Sequence, residues 1–264
     1  MKDAAPLLFD THVHLDAASF AESLDSEVRC ARQAGVGGFV VPGVDRTGWR
    51  RILGVARTVA GAWAAPGLHP LAAGEWCLAC ERDLQQLLDE PQVIAIGEIG
   101  LDTLLPSPSQ AEQEPVLRAQ LRLAIAADLP VLIHCRRATG RLLEILREEE
   151  ARRVGGIFHA FSGSIETALQ GIRLGFAIGV GGTVTYPEAR RLPEVVQKLP
   201  AEWLVLETDA PDIPPAWAQG RRNVPANLAR YAALLARLRG ISVDEVVDTT
   251  GRNVCEVLGG WRPG

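Results

Sequence analysis

Residues 7–15 read Leu7-Leu8-Phe9-Asp10-Thr11-His12-Val13-His14-Leu15, a short apolar run closing on two histidines one residue apart. A run of this length reads as a buried strand. In a doubly wound nucleotide-binding sheet the first strand would open into a Gly-x-Gly-x-x-Gly turn, and residues 10–15 carry no such turn. The pattern of strand and histidine recurs: His69 follows Trp63-Ala64-Ala65, His134 follows Val131-Leu132-Ile133, and His159 follows Gly156-Ile157-Phe158. All 5 histidines thus sit at or shortly past the end of an apolar run. Two carboxylates do the same, Glu98 after Val93-Ile94-Ala95-Ile96-Gly97 and Asp209 after Leu204-Val205-Leu206-Glu207-Thr208.

Strand-like runs recur at 7–9, 38–41, 63–65, 93–96, 131–133, 156–158, 176–180 and 203–206. Amphipathic segments near 23–34, 46–60, 77–89, 110–128, 138–150, 164–174 and 188–198 separate them, and helical stretches at 225–239 and 243–258 follow. Eight strands alternating with helices over this length predict an α/β fold, a (β/α)₈ TIM barrel. With 264 residues, 47% of them apolar and 22% charged, a single domain over 1–264 is expected. Gly179-Val180-Gly181-Gly182 lacks a dinucleotide context and reads as a tight turn where backbone approaches a site or a neighbouring strand.

The formal net charge of −5 excludes a global basic footprint, so any polyanion must be held locally. The first twenty residues have no basic segment leading into an apolar one, and no uninterrupted apolar stretch approaches membrane-spanning length. A soluble, cytoplasmic, monomeric protein with no membrane partner is expected. Cys30, Cys77, Cys80, Cys135 and Cys255 are odd in number and scattered, which argues against a disulfide framework. Cys77 and Cys80 form a Cys-x-x-Cys at a helix start with no second ligand pair nearby, and read as two incidental thiols.

In a closed barrel all strand ends converge on one face, the face where such folds keep their active sites. Residues i and i+2 of a strand point the same way, so His12 and His14 both project toward the axis. Taken singly, each candidate has an ordinary explanation: a core histidine pair, a turn-capping Glu98, an Asx-turn at Asp209 before Pro211. Together, ionisable groups packed at one barrel mouth would carry a heavy desolvation cost without a cation. Four imidazoles and two carboxylates (His12, His14, His134, His159, Glu98 and Asp209) exceed the needs of one four-coordinate ion. They point to two divalent metals about 3.5–4 Å apart with a bridging carboxylate. Glu98 is the bridge; the alternative, a carbamylated lysine, has no candidate, because the only lysines, Lys2 and Lys198, do not end strands. Imidazole-rich ligation suits zinc or manganese, with magnesium the third choice.

The segments Asp10-Thr-His-Val-His-Leu-Asp16, Gly67-Leu-His-Pro70, Gly97-Glu-Ile-Gly-Leu-Asp102, Pro130-Val-Leu-Ile-His-Cys-Arg136, His159-Ala-Phe-Ser-Gly163 and Glu207-Thr-Asp-Ala-Pro211 occur in this order along nearly the whole chain. In this it resembles the TatD-type metal-dependent deoxyribonucleases of the amidohydrolase superfamily. The resemblance implies His12, His14, Glu98 and Asp209 on one metal, and Glu98, His134 and His159 on the other. It also implies a phosphodiesterase acting on DNA through a metal-activated water, with Asp209 orienting that water and taking its proton. His69 takes a substrate or catalytic role beside the metals. The chain departs from the family at Thr103-Leu104-Leu105 and Asn223-Val224-Pro225, in loops that bear on substrate preference.

Phosphate clamps are expected at Arg136 and Arg222, with Arg137 and Arg221 solvated. Ser162 and Ser164 precede a helix and either cap it or meet a phosphate there. Trp217 either packs its loop or stacks on a base, and Glu207 shares the face of Asp209. Two other functions compete: an amide, ester or lactone hydrolase, including deacylation of misacylated tRNA, and a catalytically idle metal-binding barrel.

Overall fold

Eight strands and nine helices follow one another in the computed structural model, which describes residues 8–259. Leu7, Lys2 and the two ends of the 1–264 span lie outside the described residues. The first half runs β1 (Leu8–Asp10), α1 (Leu24–Gln33), β2 (Val36–Pro42), α2 (Trp49–Thr58), β3 (Ala62–Ala65), α3 (Leu78–Leu87), β4 (Ile96–Asp102) and α4 (Gln110–Ala127). The second runs β5 (Val131–Arg136), α5 (Thr139–Glu148), β6 (Gly156–Phe158), α6 (Ile165–Arg173), β7 (Phe176–Val180), α7 (Leu192–Lys198), β8 (Leu204–Leu206), α8 (Leu228–Arg239) and α9 (Val243–Val257). Short 3₁₀ turns at Pro70–Glu75 and Gly182–Thr185 interrupt the loops after β3 and β7.

The strands are parallel and paired in chain order, β1-β2-β3 in one ladder and β4 to β8 in another. Irregular hydrogen bonds cross the two seams. Between β3 and the segment leading into β4, Ala64 N donates to Gln92 O (2.9 Å) and Ile94 N to Ala64 O (3.1 Å), while Glu98 N of β4 donates to Gly43 O just past β2 (2.9 Å). Between β8 and β1, Thr11 N donates to Leu206 O (3.1 Å) and Asp209 N to His12 O (2.8 Å). The arrangement is a (β/α)₈ barrel.

Strand alternation divides the core in two. Phe9, Val40, Ala65, Leu132, Ile157, Ala177 and Val205, one from each of seven strands, join Ala95 just ahead of β4 in one buried cluster. Eight neighbouring strands contribute to a common interior only if they curl around it. Val254 and Leu258 of the α9 end join this cluster. The alternate positions, among them Phe39, Ile99, Ile133, Ile178 and Leu206, pack outward with helix residues such as Ile52, Leu121, Leu142 and Leu235. Helix ends carry their own stops: Ser242 and Glu245 form a capping box at the start of α9, and α8 ends on Gly240 at φ 67°.

Strands β2 and β5 run longer than the apolar pattern predicts, β5 to Arg136 so that His134 lies within it, and β4 differs most. The apolar run 93–96 mostly leads into β4, touching β3 through a single bridge from Val93 to Ala64, and the strand itself runs from Ile96 to Asp102. Glu98 therefore lies within a strand rather than after one. The cause is a ladder irregularity between Ile96 and Ile99, with Gly100 at φ +153° where a Cβ would stand 1.8 Å from His134 O. Among the described residues, no helix is long and apolar enough to cross a membrane.

Candidate metal centre

His12 and His14 stand just past β1, not on it. The segment that carries them is stitched on both sides: Val13 N donates to Val40 O of β2 (3.0 Å), and His14 N donates to Ala210 O (2.8 Å) in the loop after β8. Beneath it, Asp10 accepts from Thr208 N (2.8 Å) and from Thr208 Oγ1 (2.6 Å). Asp10 is fully buried, which raises its carboxyl to about 8. This clasp fixes His12 and His14 opposite Asp209, whose oxygen Oδ1 lies 3.7 Å from His12 Nε2 and 3.5 Å from His14 Nε2.

Glu98 stands between two groups of imidazoles. Its Oε1 is 2.7 Å from His134 Nδ1 and 4.0 Å from His69 Nε2, while Oε2 is 3.2 Å from His12 Nε2. His159 stacks on His12 with ring centres 3.5 Å apart and brings Nε2 to 3.6 Å from Asp209 Oδ1. Three sets have potential ligand atoms all within 4.8 Å of one another: His12, His14 and Asp209; His12, Glu98 and His159; His69, Glu98 and His134. The six expected ligands come together around Glu98. His159 shares a set with Glu98 and also lies against His12 and Asp209, while His69 lies beside Glu98 and His134.

Electrostatics follow from crowding. Burial alone would raise Glu98, but the His12, His134 and His159 imidazoles hold its carboxyl well below the usual range. Burial would likewise raise Asp209, and His159, His14 and His12 hold it down. His14, His134 and His159 are raised against the cost of burial, His159 furthest, by Glu207, Asp209 and Glu98. A field strong enough to draw protons onto buried rings also draws a divalent cation. The donors fit such a group on a second ground. His12 Nε2 is buried without an aligned hydrogen-bond partner, a costly condition that coordination of that nitrogen relieves.

His69 behaves differently. Its Nδ1 accepts from Leu71 N at 3.1 Å, which leaves the ring proton on Nε2, pointing toward Glu98. Burial pushes its pKa down to about 4 despite the Glu98 charge, so the ring is neutral and presents an N–H rather than a lone pair.

Two supporting carboxylates are prominent in the structure. Asp102, which the sequence reading left without a role, places Oδ2 3.3 Å from His134 Nε2 and accepts from Leu104 N at 2.9 Å. Its signal was spacing, four residues beyond Glu98 on one strand. Glu207 accepts from Ala160 N at 2.6 Å and lies 3.1 Å from His159 Nδ1. Gly179 makes room for it, since a Cβ there would stand 2.3 Å from Glu207 Oε2.

A cavity of about 560 Å³ opens above these groups, walled by Leu71, Arg136, Ser162, Thr183, Tyr186, Asp212 and Ile213. Arg136 has a side chain 63% exposed and 4.0 Å from Asp102, so it is free to reach inward. Arg222, the other expected clamp, does not line this cavity: its guanidinium bonds Ser19 O, Ser23 Oγ and Glu27 and lies over the Phe20 ring. The acidic and apolar groups of the α1 region capture it. Ser164 caps α6 through Thr167 N. Trp217 is 39% exposed and bonds Asn227 Oδ1 at 3.4 Å. Cys77 stands at the start of α3 and Cys80 is buried; among the described residues neither joins a set of three possible ligands. In the Asn223-Val224-Pro225 segment the buried Asn223 amide donates to Thr208 O (2.7 Å) and Ile213 O (3.1 Å) and ties the loop after β8 to the Asp10 clasp.

Residues 9–259 match the model of the TatD related DNase family. The chain is 39% identical over 246 residues to the uncharacterized metal-dependent hydrolase YjjV of Escherichia coli strain K12, covering 92% of this chain and 95% of that protein. It is 34% identical over 260 residues to the 3'-5' ssDNA/RNA exonuclease TatD of the same strain, covering 96% and 99%. The crystal structure of YjjV, a TatD homolog, superposes with a TM-score of 0.91 at 38% identity, covering 96% of this chain and 98% of that one. On this barrel, this ring of imidazoles and carboxylates and these matches, the chain belongs to the TatD family of metal-dependent hydrolases.

Proposed function

We propose that the chain is a phosphodiesterase acting on single-stranded DNA or RNA, with a site that would hold two divalent cations on either side of Glu98. The observation that carries this reading is the position of Glu98, whose two oxygens face separate imidazole groups at the floor of one open cavity. The similarity to a 3'-5' ssDNA/RNA exonuclease supports the substrate class. Two such cations would be held by His12, His14, Glu98, His134, His159 and Asp209, whose possible ligand atoms lie in overlapping sets. This number of imidazoles favours zinc or manganese over magnesium. When bound, such cations lower the pKa of water toward about 7 and screen charge on phosphoryl oxygens.

The protein's own groups do the rest. Asp209, held ionised, accepts a hydrogen bond and then the proton from the attacking water. His69 donates its Nε2–H to a phosphoryl or leaving oxygen. Arg136 binds a neighbouring phosphate, Asp102 holds the His134 ring, and Glu207 holds His159. The chain works as one domain and a monomer, and its five free cysteines suit the reducing cytoplasm.

Hydrolysis of a single-stranded oligonucleotide and of an aminoacyl ester, each with and without EDTA, tests the reading. Metal-dependent cleavage of the strand with no turnover of the ester is expected. Preference for the ester would replace it with the acyl-transfer alternative.

A further inference from the structure

A second cavity, of about 520 Å³, lies beside the catalytic one and is lined by Val184, Thr185, Trp217, Arg230, Ala233 and Arg237 among others. The two share a wall. Thr183 faces the catalytic cavity and the next residue, Val184, faces the second; Ile213 faces the first and Trp217 the second. The wall is tied together by Tyr186 Oη donating to Pro214 O (2.8 Å) and Ala216 N donating to Thr185 Oγ1 (2.8 Å).

Its lining is basic and aromatic. The Arg230 guanidinium lies 3.9 Å from the centre of the Trp217 ring, and Trp217 is itself held by Asn227 (3.4 Å) and by Tyr231, ring centres 5.8 Å apart. Contact with the indole face restricts the guanidinium, so less freedom is lost when its N–H groups bind a phosphate. Arg237 follows two turns later on the same face of α8, roughly 10 Å along the helix, with the small Ala233 between. Among the described residues, neither arginine is held in an ion pair, in contrast to Arg222 with Glu27. In a chain of net charge −5, a local pair of free guanidiniums beside the site is what recognition of a polyanion requires.

We propose that this cavity is a secondary site for single-stranded nucleic acid, where Arg230 and Arg237 hold phosphates of nucleotides outside the catalytic cavity and Trp217 positions Arg230. This rests on the phosphodiesterase reading and extends it from the scissile bond to the strand beyond. The site adds to the binding of long substrates and does not touch the reacting atoms.

Salt dependence of binding counts phosphate contacts directly. A fluorescent, cleavage-resistant phosphorothioate strand of about ten nucleotides is the probe, read by anisotropy over a range of salt. The Arg230→Ala/Arg237→Ala variant is expected to bind about tenfold more weakly, with a log–log salt slope shallower by about 1.4. Arg230→Lys/Arg237→Lys keeps the slope, and turnover of bis(p-nitrophenyl) phosphate is unchanged in both. Unchanged affinity and slope in the alanine variant, or a native protein that does not bind the strand, would overturn the site. Failure of the native protein to hydrolyse any phosphodiester counts against the catalytic reading instead, and the anisotropy series still decides the second cavity.

Discussion

His69 shows how one hydrogen bond sets a residue's chemistry. Its Nδ1 is taken by Leu71 N and burial keeps the ring neutral, so it offers a proton where its neighbours offer lone pairs. His69→Ala is therefore expected to lower kcat on a phosphodiester by about 10²-fold while metal content, measured by elemental analysis, stays at the native level. Loss of metal in that variant would make it a ligand. At this scale the sequence was informative wherever a member of the cluster follows an apolar run, as with His12, His134, His159 and Asp209. It was silent on orientation: nothing in the order of residues says that His159 stacks on His12, that Asp102 backs His134, or that Glu27 captures Arg222. Those depend on side chains from remote segments.

At the level of elements, β7 carries a glycine where Glu207, just past the neighbouring β8, leans against it. A methyl group at Gly179 would stand 2.3 Å from Glu207 Oε2. Gly179→Ala is expected to cost about 1–3 kcal/mol, read from urea unfolding, and to weaken metal retention by displacing Glu207 from His159. Native stability in the variant would show that the carboxylate has room to move. The Gly-rich run 179–182 was readable as a close approach of backbone to a site, but its partner was not. The start of β4 was misplaced for a related reason: periodicity favours the most apolar stretch, Val93 to Ile96, whereas pairing with β5 begins at Ile96 and continues to Asp102.

The whole molecule is a barrel whose helical layer carries its own charge network, remote from the metal centre. Glu149, at the end of α5, accepts from Arg122 Nε (2.8 Å) and Nη2 (3.0 Å) and from Arg118 Nη1 (2.7 Å), both on α4. The hydrogen bonds from Arg122, then Arg118, hold its carboxyl below the ordinary 4.5 against some desolvation. A lowered folded pKa stabilises fully above the unfolded value and loses that contribution as pH falls through the folded one. Glu149→Gln is thus expected to cost about 1 kcal/mol near neutral pH, the difference from native protein shrinking as pH drops below 4.5. Thermal melts across that range check it, and a gap that widens in acid would contradict the assignment. The barrel itself was legible from the alternation of apolar runs and amphipathic segments, while the irregular seams at Ala64–Val93 and Thr11–Leu206 were not, because they rest on hydrogen bonds between distant loops.

What the molecule as a whole achieves is to bring both faces of one carboxylate, Glu98, to imidazoles supplied from remote parts of the barrel. Divalent-metal content per chain, measured on native protein and on Glu98→Gln after equilibration with zinc or manganese, tests this most directly. About two ions are expected in the native chain and about one or fewer in the variant; equal content in the two proteins would show that Glu98 does not hold them.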